Sequence, residues 1–190
     1  MEEIKSFWKQ FTKEENVLCF YKQNDLYGFC SNCHIGNFNY ILPDIGIKDY
    51  ETYKNKIFIM DCGERAIHYT KAILFNDIET ANKILKVKSP MYIKKLGRQV
   101  SNFNNTIWNN NVCKICEHVL RYKFMVSEYK ELLLNTKEFN IIAETTPNDK
   151  LWANGMSLKN VKRFIPAEWN GLNILGYYLL KLRNELLNKT

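Results

Sequence analysis

The 190-residue chain is 46% hydrophobic and 25% charged, ordinary for a globular protein large enough to bury a core without disulfide or metal staples. No apolar run approaches the ~20 residues that cross a bilayer, and Met1-Glu2-Glu3-Ile4-Lys5 lacks a signal-peptide pattern; no membrane partner and a cytoplasmic location are expected. The net charge of +7 favours a polyanionic partner, although charge carried for solubility alone reads the same way, and the lysines are scattered along the chain.

Ile4, Phe7, Trp8 and Phe11 recur at helical spacing, so the pattern predicts an amphipathic helix over 3–12 inside an appended N-terminal segment, 1–15. Val17 to Tyr21 reads as a buried strand and Leu26 to Asn32 as a loop. Ser31 and Asn32 there could meet a ligand or bond their own backbone. Residues 34–55 read as a variable loop or ragged hairpin, and Lys56 to Met60 as a strand running into a helix over 61–75 opened by Asp61 and Gly63. Asp77 caps a predicted helix over 78–87. Ser89-Pro90 opens another that Gly97 ends, leaving Arg98 just beyond, placed to meet an anion or to be a plain surface arginine.

A long helix is predicted over 108–125, with Val112, Ile115, Cys116, Val119, Leu120 and Phe124 on its core side. Ser127 caps a helix over 128–135, whose Leu132-Leu133-Leu134 should be buried; 139–144 has the β-branched content of a strand. Thr146 to Asp149 reads as a turn, 156–168 as a disposable segment, and 172–187 as a final helix with Leu172, Leu175, Leu179, Leu182 and Leu186 inward. The sum is one predominantly helical α+β domain, 1–190, with a few short strands and no repeat or linker. Two Cys-x-x-Cys pairs, Cys30/Cys33 and Cys113/Cys116, with His34 and His118 nearby, invite a zinc reading. They lie too far apart for a zinc ribbon, and buried thiols are the better reading; no metal is expected.

The chemistry-bearing stretch is Asp61 to Ala72. At 100° per residue Glu64, His68 and Lys71 share one helix face, with roughly 10 Å of axis between the carboxylate and the amine. That leaves room for a sugar, and the three groups suit acid–base or nucleophilic work. A solvated face carrying unrelated charges also fits these residues alone.

Several motifs stand in one order: Tyr27-Gly28-Phe29-Cys30-Ser31-Asn32; Glu64 followed by Lys71-Ala72; Ser89-Pro90; Leu96-Gly97-Arg98; Lys123-Phe124; Leu133-Leu134-Asn135-Thr136; Glu144; Asp149 to Trp152; and Gly171, Asn173, Leu175, Gly176 and Arg183. This series resembles the NADAR (YbiA-like) family over about residues 20–187. Departures are Cys33 for a usual Phe, His68 for Gln, Lys137 for Gly and Ala153 for Gly. The resemblance implies a YbiA-like fold, action on N-glycosidic bonds, recognition of ADP-ribose or a related ribose phosphate, and a covalent route through Lys71 with no cofactor. Glu64 would bond ribose hydroxyls and move a proton, with Asp149 a second acid–base candidate. Ser31, Asn32, His68, Arg98, Trp108, Glu144, Trp152 and Asn173 are substrate-binding candidates. Arg98 would hold phosphates, helped by backbone N–H groups over 171–176, and Trp152 would stack on a base.

The expected substrate is ADP-ribosylated DNA, cleaved to free ADP-ribose, with no obligatory protein partner. Such an enzyme would reverse a DNA ADP-ribosyltransferase toxin, as an antitoxin or a counter to phage defence. The alternatives are an N-glycosidase for ribosylamino-pyrimidine intermediates of riboflavin synthesis and, from another class, a non-catalytic ADP-ribose or nucleic-acid binding module.

Overall fold

In a computed structural model, residues 1–189 are described. They form helices α1 (Glu2–Lys9), α2 (Gly63–Leu74), α3 (Ile78–Lys86), α4 (Pro90–Arg98), α5 (Asn105–Lys123), α6 (Ser127–Leu134) and α7 (Ile174–Leu187). Four short strands accompany them: β1 (Val17–Phe20), β2 (Phe38–Tyr40), β3 (Phe58–Met60) and β4 (Ile141–Glu144). The predominantly helical α+β expectation holds, and among the described residues no helix is long and apolar enough to cross a membrane. The chain divides into two units, Asn32–Val126 and the remainder.

In the unit of 1–31 and 127–189, β1 and β4 pair in parallel from Val17↔Ile141 to Phe20↔Glu144. Parallel strands need cover, and α7, with Leu175 and Leu179 wholly buried, packs on β4. Buried Arg183 reaches from α7 to the end of α6, donating to the Thr136 carbonyl at 2.6 Å. Helix α1 is shorter than predicted because the backbone beyond it is already engaged: Ala167 N–H donates to the Phe11 carbonyl and Glu15 N–H to that of Phe164. Segment 156–168 is therefore a backbone partner rather than disposable. Trp8 anchors α1, donating Nε1–H to the Leu172 carbonyl at 2.8 Å and packing on Trp169. Of the three leucines expected in the core only Leu133 is fully buried; Leu132 is 38% exposed.

In Asn32–Val126, β2 and β3 form an antiparallel pair, and α2 packs against α3, α4 and α5. Helix α2 begins at Gly63, and Asp61 does not cap it. Its carboxylate instead takes a two-pronged bond from Arg65 at 2.7 and 2.8 Å, while the same guanidinium donates to the Ile84 and Val87 carbonyls. The Arg65 pair thus ties the start of α2 to the end of α3. Asp77 caps α3 as expected and also accepts from Ser101 N–H, 2.8 Å away. Helix α5 starts three residues before Trp108 because Asn104 caps it, and all six of its predicted core residues are buried. Gly97 does not end α4: the helix runs through Arg98, and a Cβ at Gly97 would collide with the His68 ring. The glycine serves close packing of α4 on α2, not chain reversal.

Candidate functional site

Helix α2 holds Glu64, His68 and Lys71 in a row, as the spacing predicted. Glu64 is 8% exposed, and its own N–H donates to the Asn32 carbonyl at 2.8 Å, fixing the first turn of the helix. The carboxylate meets His68 Nε2 at 2.9 Å and Lys94 Nζ at 3.9 Å, with Cys33 Sγ 3.9 Å away. Burial works to raise the Glu64 pKa. The His68 hydrogen bond, with the charges of His68, Lys94 and Arg98, outweighs it and holds the group below the ordinary carboxylate range. Two buried polar atoms in this row lack a partner among the described residues, Asn32 Oδ1 and His68 Nδ1. Such atoms cost free energy unless something else bonds them, which makes them candidates for contact with a ligand or water.

Lys71 lies at the far end of the row. Its Nζ donates to the Gly97 carbonyl at 2.8 Å and stands over two aromatic faces, 4.2 Å from the Phe103 centroid and 5.2 Å from that of Trp108. Burial lowers its pKa from the usual lysine value, which raises the share of neutral amine. A neutral amine is the form that attacks carbon. Gly97 serves two of the three, its Cα against the His68 ring and its carbonyl on the Lys71 amine.

Asn32, Glu64, His68, Lys71, Arg98 and Trp108 all belong to the unit of residues 32–126. Sequence reasoning missed Lys94 and Phe103. Lys94 stands four residues before Arg98 on the same helix, a spacing that could have found it. Phe103 lies between α4 and α5, where no periodicity points to it.

The other candidates belong to the second unit, where most visibly serve its backbone. Asn173 is fully buried in left-handed conformation, φ 49°; it donates to the Ile142 carbonyl at 2.9 Å and accepts from Glu144 N–H at 3.1 Å. It clasps β4 to the start of α7. Asp149 Oδ1 accepts from the N–H groups of Leu151 and Trp152 at 3.0 and 2.8 Å, an Asx turn that sets the half-buried Trp152. Ser31 is buried just after a short 3-10 turn, Gly28–Cys30. The expected phosphate cradle over 171–176 is corrected: the N–H groups of Gly171 through Leu175 donate to carbonyls of Lys150, Leu151, Trp152, Ala153 and Asn154. Five donors already spent on a neighbouring loop are not open to an anion.

Among the described residues no three His, Cys, Asp or Glu side chains gather into a metal-ligand set. The two Cys-x-x-Cys pairs fall in different elements, and Cys30 and Cys116 are buried.

The NADAR domain model matches residues 19–187. The chain belongs to the NADAR family. It is 36% identical over 116 residues to N-glycosidase R617 of Acanthamoeba polyphaga mimivirus, a match covering 60% of this chain and 68% of that protein. It is 32% identical over 120 residues to N-glycosidase YbiA of Escherichia coli K12, covering 63% and 68%. It is also 25% identical over 198 residues to the chloroplastic riboflavin biosynthesis protein PYRR of Zea mays, covering 98% of this chain but 28% of that protein. The NMR structure of E. coli YbiA superposes with a TM-score of 0.66 at 25% identity, over 95% of this chain and 90% of that one. Helix α1 lies outside the matched family region. The family thus includes proteins named as N-glycosidases, and the Glu64–His68–Lys71 row falls within the matched region.

Proposed function

We propose that this NADAR chain is an N-glycosidase that removes ADP-ribose from a nucleobase in DNA through an imine on Lys71. The observation that carries the reading is the row on α2: an amine with a lowered pKa against two aromatic faces, on the helix that also holds a buried, ionised carboxylate. The bond between the ribose ring oxygen and C1′ opens as that oxygen takes a proton from the Glu64–His68 pair. Neutral Nζ adds to C1′, the C1′–N bond to the base breaks, and the base leaves with a proton returned through the same pair. Water then adds to the C1′=Nζ imine, frees Lys71, and releases ADP-ribose as an open-chain aldehyde that recloses. Asn32 Oδ1 and His68 Nδ1 are buried without a partner among the described residues, facing Gly63 and Gly97, and exposed Arg98 would meet a phosphate. Asp149 is assigned to hold the turn before Trp152.

The net charge of +7 supports a DNA substrate over a small metabolite, since only the former extends phosphates beyond the reacting sugar. Removing ADP-ribose from DNA would reverse an ADP-ribosyltransferase toxin. A second reading, cleavage of a ribosylamino-pyrimidine, is favoured by the likeness to the maize riboflavin biosynthesis protein. Oligonucleotides bearing ADP-ribose on guanine or thymine, assayed beside a ribosylamino-pyrimidine, separate the two. Free ADP-ribose from an oligonucleotide is expected. Turnover of the pyrimidine alone transfers the row to the second reading, and ADP-ribose binding without turnover of either leaves a binding module.

A further inference from the structure

The positive charge is unevenly distributed. Residues 32–126 carry 14 Lys and Arg against 8 Asp and Glu, whereas the rest of the chain carries 13 against 12. The excess has a single source: from Thr80 to Cys116 there is no Asp or Glu, while seven Lys or Arg occur there. Two of these face acids from elsewhere, Lys83 bonded to Glu79 at 2.6 Å and Lys94 near Glu64. Lys86, Lys88, Lys95 and Arg98 are exposed and make no ion pair among the described residues.

The helices arrange these four on related surface. Lys86 closes α3, and Lys88 directly precedes Ser89, the cap of α4, which packs against α3. On α4, Met91, Lys95 and Arg98 fall at i, i+4 and i+7 along one exposed stripe, opposite buried Ile93 and Leu96. Tyr92 beside the stripe is 50% exposed, with Lys95 Nζ 5.7 Å from its ring centroid. At the end of the stripe Arg98 follows Gly97, whose carbonyl accepts from Lys71 Nζ at 2.8 Å, and stands four residues after Lys94, whose Nζ lies 3.9 Å from the Glu64 carboxylate. Unopposed cations with an exposed aromatic ring, ending at a glycosidase carboxylate, match the chemistry that tracks single-stranded nucleic acid. An anionic lipid surface fits less well, because Ile93 and Leu96 of α4 are buried and only Met91 and Tyr92 stand exposed among the cations, short of an apolar face.

We propose that the surface from Lys86 and Lys88, along Tyr92 and Lys95 of α4, to Arg98 binds the phosphodiester backbone of a DNA strand and leads it to the Lys71 row. This rests on the DNA reading above and adds the contact surface to it. The test is anisotropy of a fluorescent, unmodified single-stranded DNA 20-mer at several salt concentrations. It compares the unaltered chain with Lys86→Glu/Lys88→Glu/Lys95→Glu and with a charge-matched control, Lys13→Glu/Lys137→Glu/Lys159→Glu. Thermal melting checks folding, and Lys→Gln versions of both triples repeat the comparison at smaller charge change. The first triple should weaken binding at least tenfold and flatten the log–log salt slope by about 2, given roughly 0.7 counterion per phosphate contact on a single strand. The control should stay within about threefold. Equal losses in both triples, no DNA binding by the unaltered chain at low salt, or preference for phosphatidylserine vesicles or RNA over DNA would each overturn the surface. Release of ADP-ribose from short modified oligonucleotides is scored separately, so the glycosidase reading stands or falls on its own.

Discussion

Asn173 and Glu64 are both buried polar residues, and the chain uses them in opposite ways. Asn173 spends its amide on the backbone of β4, as Asp149 spends an oxygen on the backbone of its own turn. Glu64 instead meets the side chains of His68 and Lys94, with Asn32 Oδ1 and His68 Nδ1, unpartnered among the described residues, in the same unit. A polar group bonded to backbone fixes a shape. One bonded to other ionisable groups can exchange protons, and its surroundings set when it does. On the proposed mechanism the family motifs divide by unit: those in 32–126 would carry chemistry, and those around 141–176 hold a strand, a turn and a helix start in place.

The sharpest challenge to that division is Lys71→Ala. Removing the nucleophile should cost at least about 10³-fold in turnover while ADP-ribose binding by calorimetry stays within a few-fold. An active Lys71→Ala would place the chemistry elsewhere. In the unaltered chain, turnover should rise with pH through the lowered pKa of Lys71, since only the neutral amine attacks.

Glu64→Gln should cost about 10²-fold in turnover, the usual size of an acid–base contribution. It also carries a stability signature. The folded-state pKa of Glu64 lies below the unfolded one, so its ionised form stabilises the fold above the ordinary carboxylate range and loses that contribution as pH falls through the folded value. The melting-temperature gap between the unaltered chain and Glu64→Gln should therefore narrow on acidification; a gap that widens would contradict the ionised assignment.

Residues of the other unit should show the reverse pattern. Asn173→Ala leaves two buried backbone groups without their partner and forces a left-handed φ on alanine, so it should destabilise by about 2–4 kcal/mol in denaturant titration. Asp149→Asn keeps an oxygen for the turn and should change turnover by less than about threefold. A 10²-fold loss at unchanged stability would make Asp149 a proton-transfer group and erase the contrast between the units.

Much of this was readable from residue spacing. The i, i+4, i+7 pattern put Glu64, His68 and Lys71 on one face, and Asp77 and Ser89 announced their helices by cap chemistry. What escaped depends on contacts distant in the chain. Gly97 reads as a helix stop until the His68 ring is seen against it, and Asp61 reads as a cap until Arg65 takes its carboxylate. Gly171 to Leu175 look like a free anion cradle until residues 150–154 accept their N–H groups. The basic surface was hidden differently: the lysines are evenly spread, and only the absence of acids from Thr80 to Cys116 reveals it.

Borohydride reduction during turnover separates a covalent route through Lys71 from every other. It would convert the proposed imine on Lys71 to a stable secondary amine that peptide mass spectrometry can place. A ribose-derived mass is expected on the peptide containing Lys71, absent from Lys71→Ala. An adduct on another lysine, or none under conditions where substrate is consumed, would contradict it.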